Sequence, residues 1–343
     1  MLQIIKYIIF FPFAILYRII IHARYLLYKN GIKKVHHFKT PIISVGNITV
    51  GGTGKTPMVH FIANELKLEF PKIAIISRGY GRKSKGFQLV HNGEKLLLDS
   101  EIAGDEPFLL ANLLGNCIVA VDENRINAIE KIESEFNPDL IILDDGFQQL
   151  GIRKSVDIVL INASKPFSEM KLLPFGFGRE PLTKLNRADV IVYTKTKDFN
   201  FPEWDYEIEF SGELFSTKYE TSIWEYSKSG YNEIENVPEN LYAFCGIADP
   251  NSFRYSLQEN NINPIGFVKF KDHEPYSQKL IVQLSLEISN KNTKNVITTE
   301  KDIVKLSDEF IENHHIFTLR IQHKFLEKEK LIQKLKSTIK EKS

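Results

Sequence analysis

The residues best placed to do chemistry lie in one run, residues 46–57, which reads GNITVGGTGKTP. A loop that cradles phosphates asks for Gly, four residues, then Gly-Lys-Ser/Thr, because glycines let successive N–H groups turn inward around phosphate oxygens. Gly54, Lys55 and Thr56 match; Thr49 stands at the first glycine position, and Gly51 and Gly52 keep the backbone permissive. Thr49, Val50, Gly51, Gly52, Thr53, Gly54, Lys55 and Thr56 are therefore expected around a nucleotide's phosphates. Lys55 would neutralise the β- and γ-phosphates and the Thr56 hydroxyl would bind Mg²⁺, with the positive end of the following helix dipole adding to both. A second piece agrees. Leu140-Ile141-Ile142-Leu143 ends in Asp144-Asp145-Gly146, a strand delivering carboxylates to its carboxyl edge, where an acid helps hold Mg²⁺. Neighbouring side chains on a strand point oppositely, so both serve only if Asp145 lies past the strand end. Taken alone, the pair also reads as a solvated acidic turn.

The elements that must position these groups are legible as short apolar runs. Ile42-Ile43-Ser44-Val45 precedes the glycine-rich loop and a helical pattern over residues 55–69 follows it. Residues 72–77, 117–121, 139–143, 156–161 and 189–193 are further runs, mostly β-branched and not alternating, as expected of strands buried on both faces. With helical stretches between several of them, such as 124–136, they predict an α/β fold of the P-loop type, doubly wound on a mainly parallel sheet. Residues 196–240 show no strong period and read as an irregular junction. Beyond it, strands near 241–245, 265–270 and 295–298 alternate with helices near 252–258 and 275–288, which predicts a smaller α/β domain. Residues 324–342 form an amphipathic pattern with Leu331, Leu335 and Ile339 on one face. The expected division is 1–36, 37–210, 211–322 and 323–343.

Composition narrows the function classes. In 343 residues, 43% hydrophobic and 25% charged residues exclude disorder and a polytopic membrane protein. A net charge of +1 is unlike a nucleic-acid binder, and two cysteines, Cys117 and Cys245, support neither a disulfide framework nor a cysteine zinc site. The balance is uneven, however. Residues 1–40 hold Lys6, Arg18, Arg24, Lys29, Lys33, Lys34 and Lys39 with no acidic residue, beside many large apolar ones. A cleaved signal lacks a good small-residue site after the apolar stretch, and a core helix does not explain cations without anions. An interfacial helix explains both, with apolar residues in the bilayer boundary and cations at anionic headgroups. A true span remains a competing reading, since a span needs about twenty apolar residues.

Further motifs follow the glycine-rich loop in order: Ser77-Arg78-Gly79-Tyr80-Gly81, Gly104-Asp105-Glu106-Pro107, Asp144-Asp145-Gly146-Phe147-Gln148 and Gly178-Arg179-Glu180-Pro181. Phe244-Cys245-Gly246-Ile247, Asp272-His273 and Thr298-Thr299-Glu300-Lys301-Asp302 complete the set. The ordered set closely resembles the tetraacyldisaccharide 4′-kinase (lipid A 4′-kinase) family over about residues 40 to 306. The resemblance implies a membrane-associated kinase using ATP and Mg²⁺ to phosphorylate the 4′-hydroxyl of a lipid A disaccharide 1-phosphate precursor. It further implies work at the cytoplasmic face of the inner membrane, peripheral or monotopic through the N-terminal segment, with no nucleic acid and no obligatory protein partner. It also makes Asp105 the base facing the sugar hydroxyl and His273 its partner. One departure is Gln149, where the family usually has His; Gln can only hydrogen-bond.

The remaining residues carry two readings each. Asp105 or Glu106 also reads as a cap on the helix that Pro107 opens. Arg78, Arg82, Lys83 and Lys85 read as a solvated basic loop or as a phosphate clamp, Arg78 being best placed at a strand edge. Arg179 and Glu180 read as an ion pair shaping the cleft, and residues 299–302 as a helix cap or a nucleotide contact. The expected catalytic set is Asp105, His273, Lys55 and Asp145. Expected metal ligands are Thr56, Asp144 and Glu180, and Arg78, Arg179 and Gln149 are expected at the acceptor. A partitioning ATPase would place a Lys before the loop's glycines, where Val50 stands, and a GTPase would need a guanine-reading Asn/Thr-Lys-x-Asp.

Overall fold

The computed structural model describes residues 2–202 and 210–342. Helix α1 (Leu2–Lys29) leads to β1 (Ile42–Asn47), and the glycine-rich loop joins β1 to α2 (Lys55–Leu66). Then come β2 (Ile73–Ser77), β3 (Gln88–Asn92), α3 (Ser100–Ala103), α4 (Asp105–Leu113), β4 (Ile118–Val121), α5 (Arg125–Phe136), β5 (Leu140–Asp144), β6 (Val156–Asn162) and β7 (Val190–Thr194). The second half holds β8 (Glu213–Ser227), β9 (Gly230–Ile234), β10 (Tyr242–Cys245), α6 (Pro250–Glu259), β11 (Gly266–Lys269) and α7 (Gln278–Ser289). It closes with β12 (Asn295–Thr298), α8 (Glu300–Ile303), α9 (Asp308–Asn313), β13 (His315–Phe325) and α10 (Lys328–Lys342).

All described strands join one sheet, ordered β11-β10-β12-β13-β8-β7-β6-β1-β5-β2-β4-β3, with β9 paired to β8. The fold is α/β, and β7-β6-β1-β5-β2-β4 run parallel. Their residues are buried on both faces, which explains the unbroken apolar runs. Ile43 and Val45 of β1 pack on one side with Met58 and Ile62 of α2, while Ile42 packs on the other with Ile129 of α5. Leu331, Leu335 and Ile339 of α10 close the first of these cores, as their spacing predicts.

Residues 196–240 are not the irregular junction expected. Residues 203–209 lie outside the described residues, but from Glu213 onward β8 forms a hairpin with β9. β8 also couples the two halves: residues 213–216 pair parallel with β7, and residues 217–226 pair antiparallel with β13. Its side chains are largely half-buried, so it has neither the continuous apolar run of the parallel strands nor a dry face. β13 likewise takes residues 324 and 325 from the expected terminal helix.

Candidate active site

Parallel strands end at one edge of the sheet, and the chemistry-bearing loops leave from there. β1 lies between β5 and β6, with Val45 opposite Asp144. β2 flanks β5, with Ile76 opposite Leu143. The glycine-rich loop, the two aspartates and Ser77-Arg78 therefore open together. Gly46 allows the loop to leave closely past Phe147: a Cβ there would lie 2.5 Å from Phe147 Cβ.

The loop is held from behind. Asn47 Nδ2 donates to Thr53 Oγ1 at 2.8 Å, and Thr194 Oγ1 donates to the Thr53 carbonyl at 3.0 Å. Val50 N donates to Phe177 O at 2.7 Å. Gly54, at φ 83°, ends the loop at the N-cap of α2. Its carbonyl meets His323 Nε2 of β13 at 3.0 Å, and a Cβ at Gly54 would lie 2.3 Å from the Tyr219 hydroxyl of β8. Only glycine fits that conformation and that space.

Asp144 and Asp145 have opposite environments. Asp145, at φ 54°, accepts both terminal nitrogens of Arg179, at 2.8 and 2.7 Å, and lies 3.6 Å from Lys55 Nζ. Burial raises its pKa, but Arg179 and Lys55 outweigh burial and hold the carboxyl at about 2. Asp144 is buried; Oδ2 accepts from Ser77 Oγ at 3.0 Å, while buried Oδ1 has no hydrogen-bond partner. Burial first, then Glu106, pushes its proton affinity up, against the pull of Lys55. An orphaned buried oxygen on a carboxylate beside a phosphate loop suits a divalent cation, which removes both penalties. Among the described residues no trio of His, Cys, Asp or Glu gathers as a metal cluster. Mg²⁺ needs none: one or two carboxylates, a hydroxyl, water and substrate phosphates suffice.

The second cluster joins the halves of the sheet. Asp105 opens α4 after Gly104, and its Oδ2 meets His273 Nδ1 at 2.9 Å. The helix is capped by Gly104, so the Asp105 carboxylate is free to face outward to His273. That bond raises the His273 proton affinity above its ordinary value, against burial. Beside it, Glu106 pairs with Lys301 and feels the charge of Lys55. Glu106 reads in the sequence as a helix cap and Lys301 as part of a cap or nucleotide contact, and the fold makes them partners; Ser77 and Asn47 carry no assigned role in the sequence.

Other expected residues are placed differently. Arg179 and Glu180 do not pair with each other: Arg179 holds Asp145, and Glu180 meets Arg187 Nη2 at 2.6 Å. The two lie in a bend and take different partners, so the pairing expected from adjacency fails. Glu180 is thus engaged by Arg187, and Arg179 by a carboxylate rather than turned to an acceptor. Gln149 is half-buried, its N–H closing a turn on Gly146 O at 2.9 Å. Arg82 and Lys83 are occupied by Glu123 and Glu101, at 2.7 and 2.8 Å. Arg78 is exposed at the end of β2, with no ion pair among the described residues. Thr299 Oγ1 donates to Asp302 Oδ2 at 2.6 Å, and Glu300 pairs with Arg320 at 2.7 Å.

Helix α1 leans on this site by one narrow stripe. Tyr17 OH donates to Arg179 O at 3.0 Å, Arg24 Nη2 to Gln148 O at 3.0 Å, and Lys184 Nζ lies 3.4 Å from the Tyr25 ring centre. Phe10, Phe11, Phe13, Ile15, Leu16, Ile19, Ile20 and Leu26 remain exposed. It is the one helix among the described residues long and apolar enough to cross a membrane.

Comparison with known proteins gives the family. A family model described as tetraacyldisaccharide-1-P 4′-kinase matches residues 6–340. The tetraacyldisaccharide 4′-kinase of Desulfotalea psychrophila is 38% identical over 320 residues, 90% of each chain. That of Chlorobium limicola is 37% identical over 336 residues, 94% of each chain. The crystal structure of Aquifex aeolicus LpxK in complex with ATP superposes with a TM-score of 0.77 at 31% identity, covering 96% of this chain and 98% of that one.

Proposed function

Because the chain belongs to the tetraacyldisaccharide-1-P 4′-kinase family, lipid kinases of lipid A biosynthesis, we propose that it moves the γ-phosphoryl group of ATP onto the 4′-hydroxyl of a lipid A disaccharide 1-phosphate precursor. The bond from the γ-phosphorus to the β,γ-bridging oxygen breaks, a bond to the 4′-oxygen forms, and the hydroxyl proton passes to Asp105. The observation that carries this reading is the Asp105–His273 pair, one residue from Glu106 and hence beside the edge bearing Lys55 and Asp144. A carboxylate bonded on one oxygen by imidazole keeps the other free to accept a proton, and such bases contribute about 10²–10⁴-fold.

Backbone N–H groups of the loop from Gly51 to Gly54 and the Lys55 ammonium bind the phosphates, the Val50 N–H being taken by Phe177 O, with charge stabilisation concentrated where the transferred group sheds its bonds. Thr56 and Asp144 are the residues that would hold Mg²⁺, which when bound neutralises charge on the β- and γ-phosphates. Asp145, kept ionised by Arg179, holds Lys55 oriented from the loop floor. Arg78, free at the strand edge, is suited to an acceptor or nucleotide phosphate.

The enzyme works at the cytoplasmic face of the inner membrane, lying on it through α1. From Tyr17 onward the helix is held sideways to the folded chain. That leaves residues 2–16, about 22 Å of helix, against a hydrocarbon core of about 30 Å. The exposed apolar face then enters the boundary, and the cations of residues 1–40 meet anionic headgroups.

The test is transfer of label from γ-³²P-ATP to a tetraacyldisaccharide 1-phosphate acceptor in mixed micelles. Asp105→Asn is expected to lower transfer about a hundredfold or more while leaving ATP affinity intact. Label released equally as phosphate with and without the acceptor overturns the kinase reading.

A further inference from the structure

One buried lysine in the cleft between the halves is not used by the reaction above. Lys305 Nζ, on a side chain only 7% exposed, lies 3.1 Å from Asp302 Oδ1 and 3.8 Å from Asp105 Oδ2. It also sits 5.1 Å from the centre of the Tyr276 ring. Asp302 is fully buried and ringed by donors: Gly246 N at 3.0 Å, Thr299 Oγ1 at 2.6 Å and Tyr276 OH at 3.0 Å. The Gly246 carbonyl in turn accepts His273 N at 3.2 Å. A single buried carboxylate thus holds both groups that meet the Asp105 carboxylate, Lys305 directly and His273 through Gly246.

We propose that Lys305, anchored by Asp302, is a positioning residue for phosphoryl transfer: its fixed cation holds the Asp105 carboxylate aimed at the acceptor hydroxyl. The proposal rests on Asp105 being the proton acceptor. At 3.8 Å the ammonium is beyond hydrogen-bond range of Asp105, so it acts by charge and leaves that oxygen to His273. Burial makes the charge count, since little water screens it. The charged groups facing Asp105 come from three places. His273 and Asp272 lie on the loop after β11, and Asp302 and Lys305 lie on α8 and the turn beyond it. On α4 itself is Glu106, engaged by Lys301. Of these, Lys305 is the lysine nearest Asp105.

The competing account is a buried ion pair that merely staples the halves together, and such pairs are often neutral for stability. A staple has no reason to act on kcat alone or to lose its effect once Asp105 is gone. The experiment compares Lys305→Met and Lys305→Arg in the full-length enzyme, measuring kcat and KM for ATP. Lys305→Met is expected to lower kcat about ten- to a hundredfold with KM for ATP changed less than about twofold. Lys305→Arg should restore most of kcat. Asp105→Asn combined with Lys305→Met should be no slower than Asp105→Asn alone. If Lys305→Met does not fold, Lys305→Gln, which keeps a donor for Asp302, is measured in its place. Near-normal kcat in Lys305→Met, no rescue by Lys305→Arg, or additive losses in the double variant overturn the proposal. Near-normal turnover by Asp105→Asn alone would instead sink the base assignment, whatever Lys305 does.

Discussion

His323 makes the support of the phosphate loop measurable. Its Nε2 lies 3.0 Å from the Gly54 carbonyl, which can only accept, so Nε2 carries the proton and Nδ1 is left as a lone pair near Thr217 Oγ1. Burial pushes the imidazole down to about 4, against its ordinary 6.5. The folded state therefore favours the neutral ring. Stability from this group is full above pH about 6.5 and is lost as pH falls towards 4, because the unfolded chain takes up the proton first. With those two values the loss is close to zero at pH 7.5 and about 2 kcal/mol at pH 5. His323→Gln keeps a donor but cannot titrate. At pH 7.5 it should cost about 1 kcal/mol for a poorer bond to Gly54; at pH 5 it should be level with wild type or more stable. Urea unfolding of both proteins at the two pH values measures the crossing. His60 is also pushed down to about 4, chiefly by burial, but it is present in both proteins and cancels in the difference. Stability curves that stay parallel between the two pH values would refute a neutral, buried His323 under the loop.

Two further outcomes test the site and its docking. Lys55→Met should lower phosphoryl transfer about a thousandfold or more, since a fixed cation is removed from the transferred group, and a folded variant with near-normal turnover would end the phosphate-loop assignment. Deleting residues 1–22 should release the protein from anionic vesicles and impair transfer to lipid while sparing ATP binding, and high salt should partly release the intact protein; protease protection placing the N-terminus across the bilayer would establish a span instead.

The first half of the fold was legible because each of its strands is buried on both faces and so writes a compact apolar run. Residues 140–144 and 156–161 are buried throughout and could be read directly. The glycine-rich loop was legible for a different reason: its chemistry is local, with strand, loop and helix consecutive in the chain. β8 could not be read the same way. Trp224 lies beside polar neighbours, and its ring is covered by the Arg320 guanidinium at 3.8 Å rather than by an apolar core. Arg179 misled because adjacency suggested Glu180 as its partner, whereas its true partner, Asp145, is 34 positions away. The Asp105–His273 pair came from the ordered motifs as a set; neither residue has a local pattern that separates it from a helix cap or a surface histidine.

These misreadings share a cause that bears on how the site works. The bonds that define it link residues far apart: Asp105 and His273 by 168 positions, Glu106 and Lys301 by 195, Gly54 and His323 by 269. Each joins the first half of the sheet to the second, and β8 is the strand through which the halves are continuous. The phosphate loop is therefore buttressed by β13, and the proposed base is completed by the loop after β11, only when β8 has paired on both its edges. The nucleotide-binding residues themselves come from the first half, with β13 as a support behind them; the proposed proton acceptor is completed only by a residue of the second. On this argument, changes in β8 that loosen its pairing with β13 should reduce transfer more than they reduce ATP affinity.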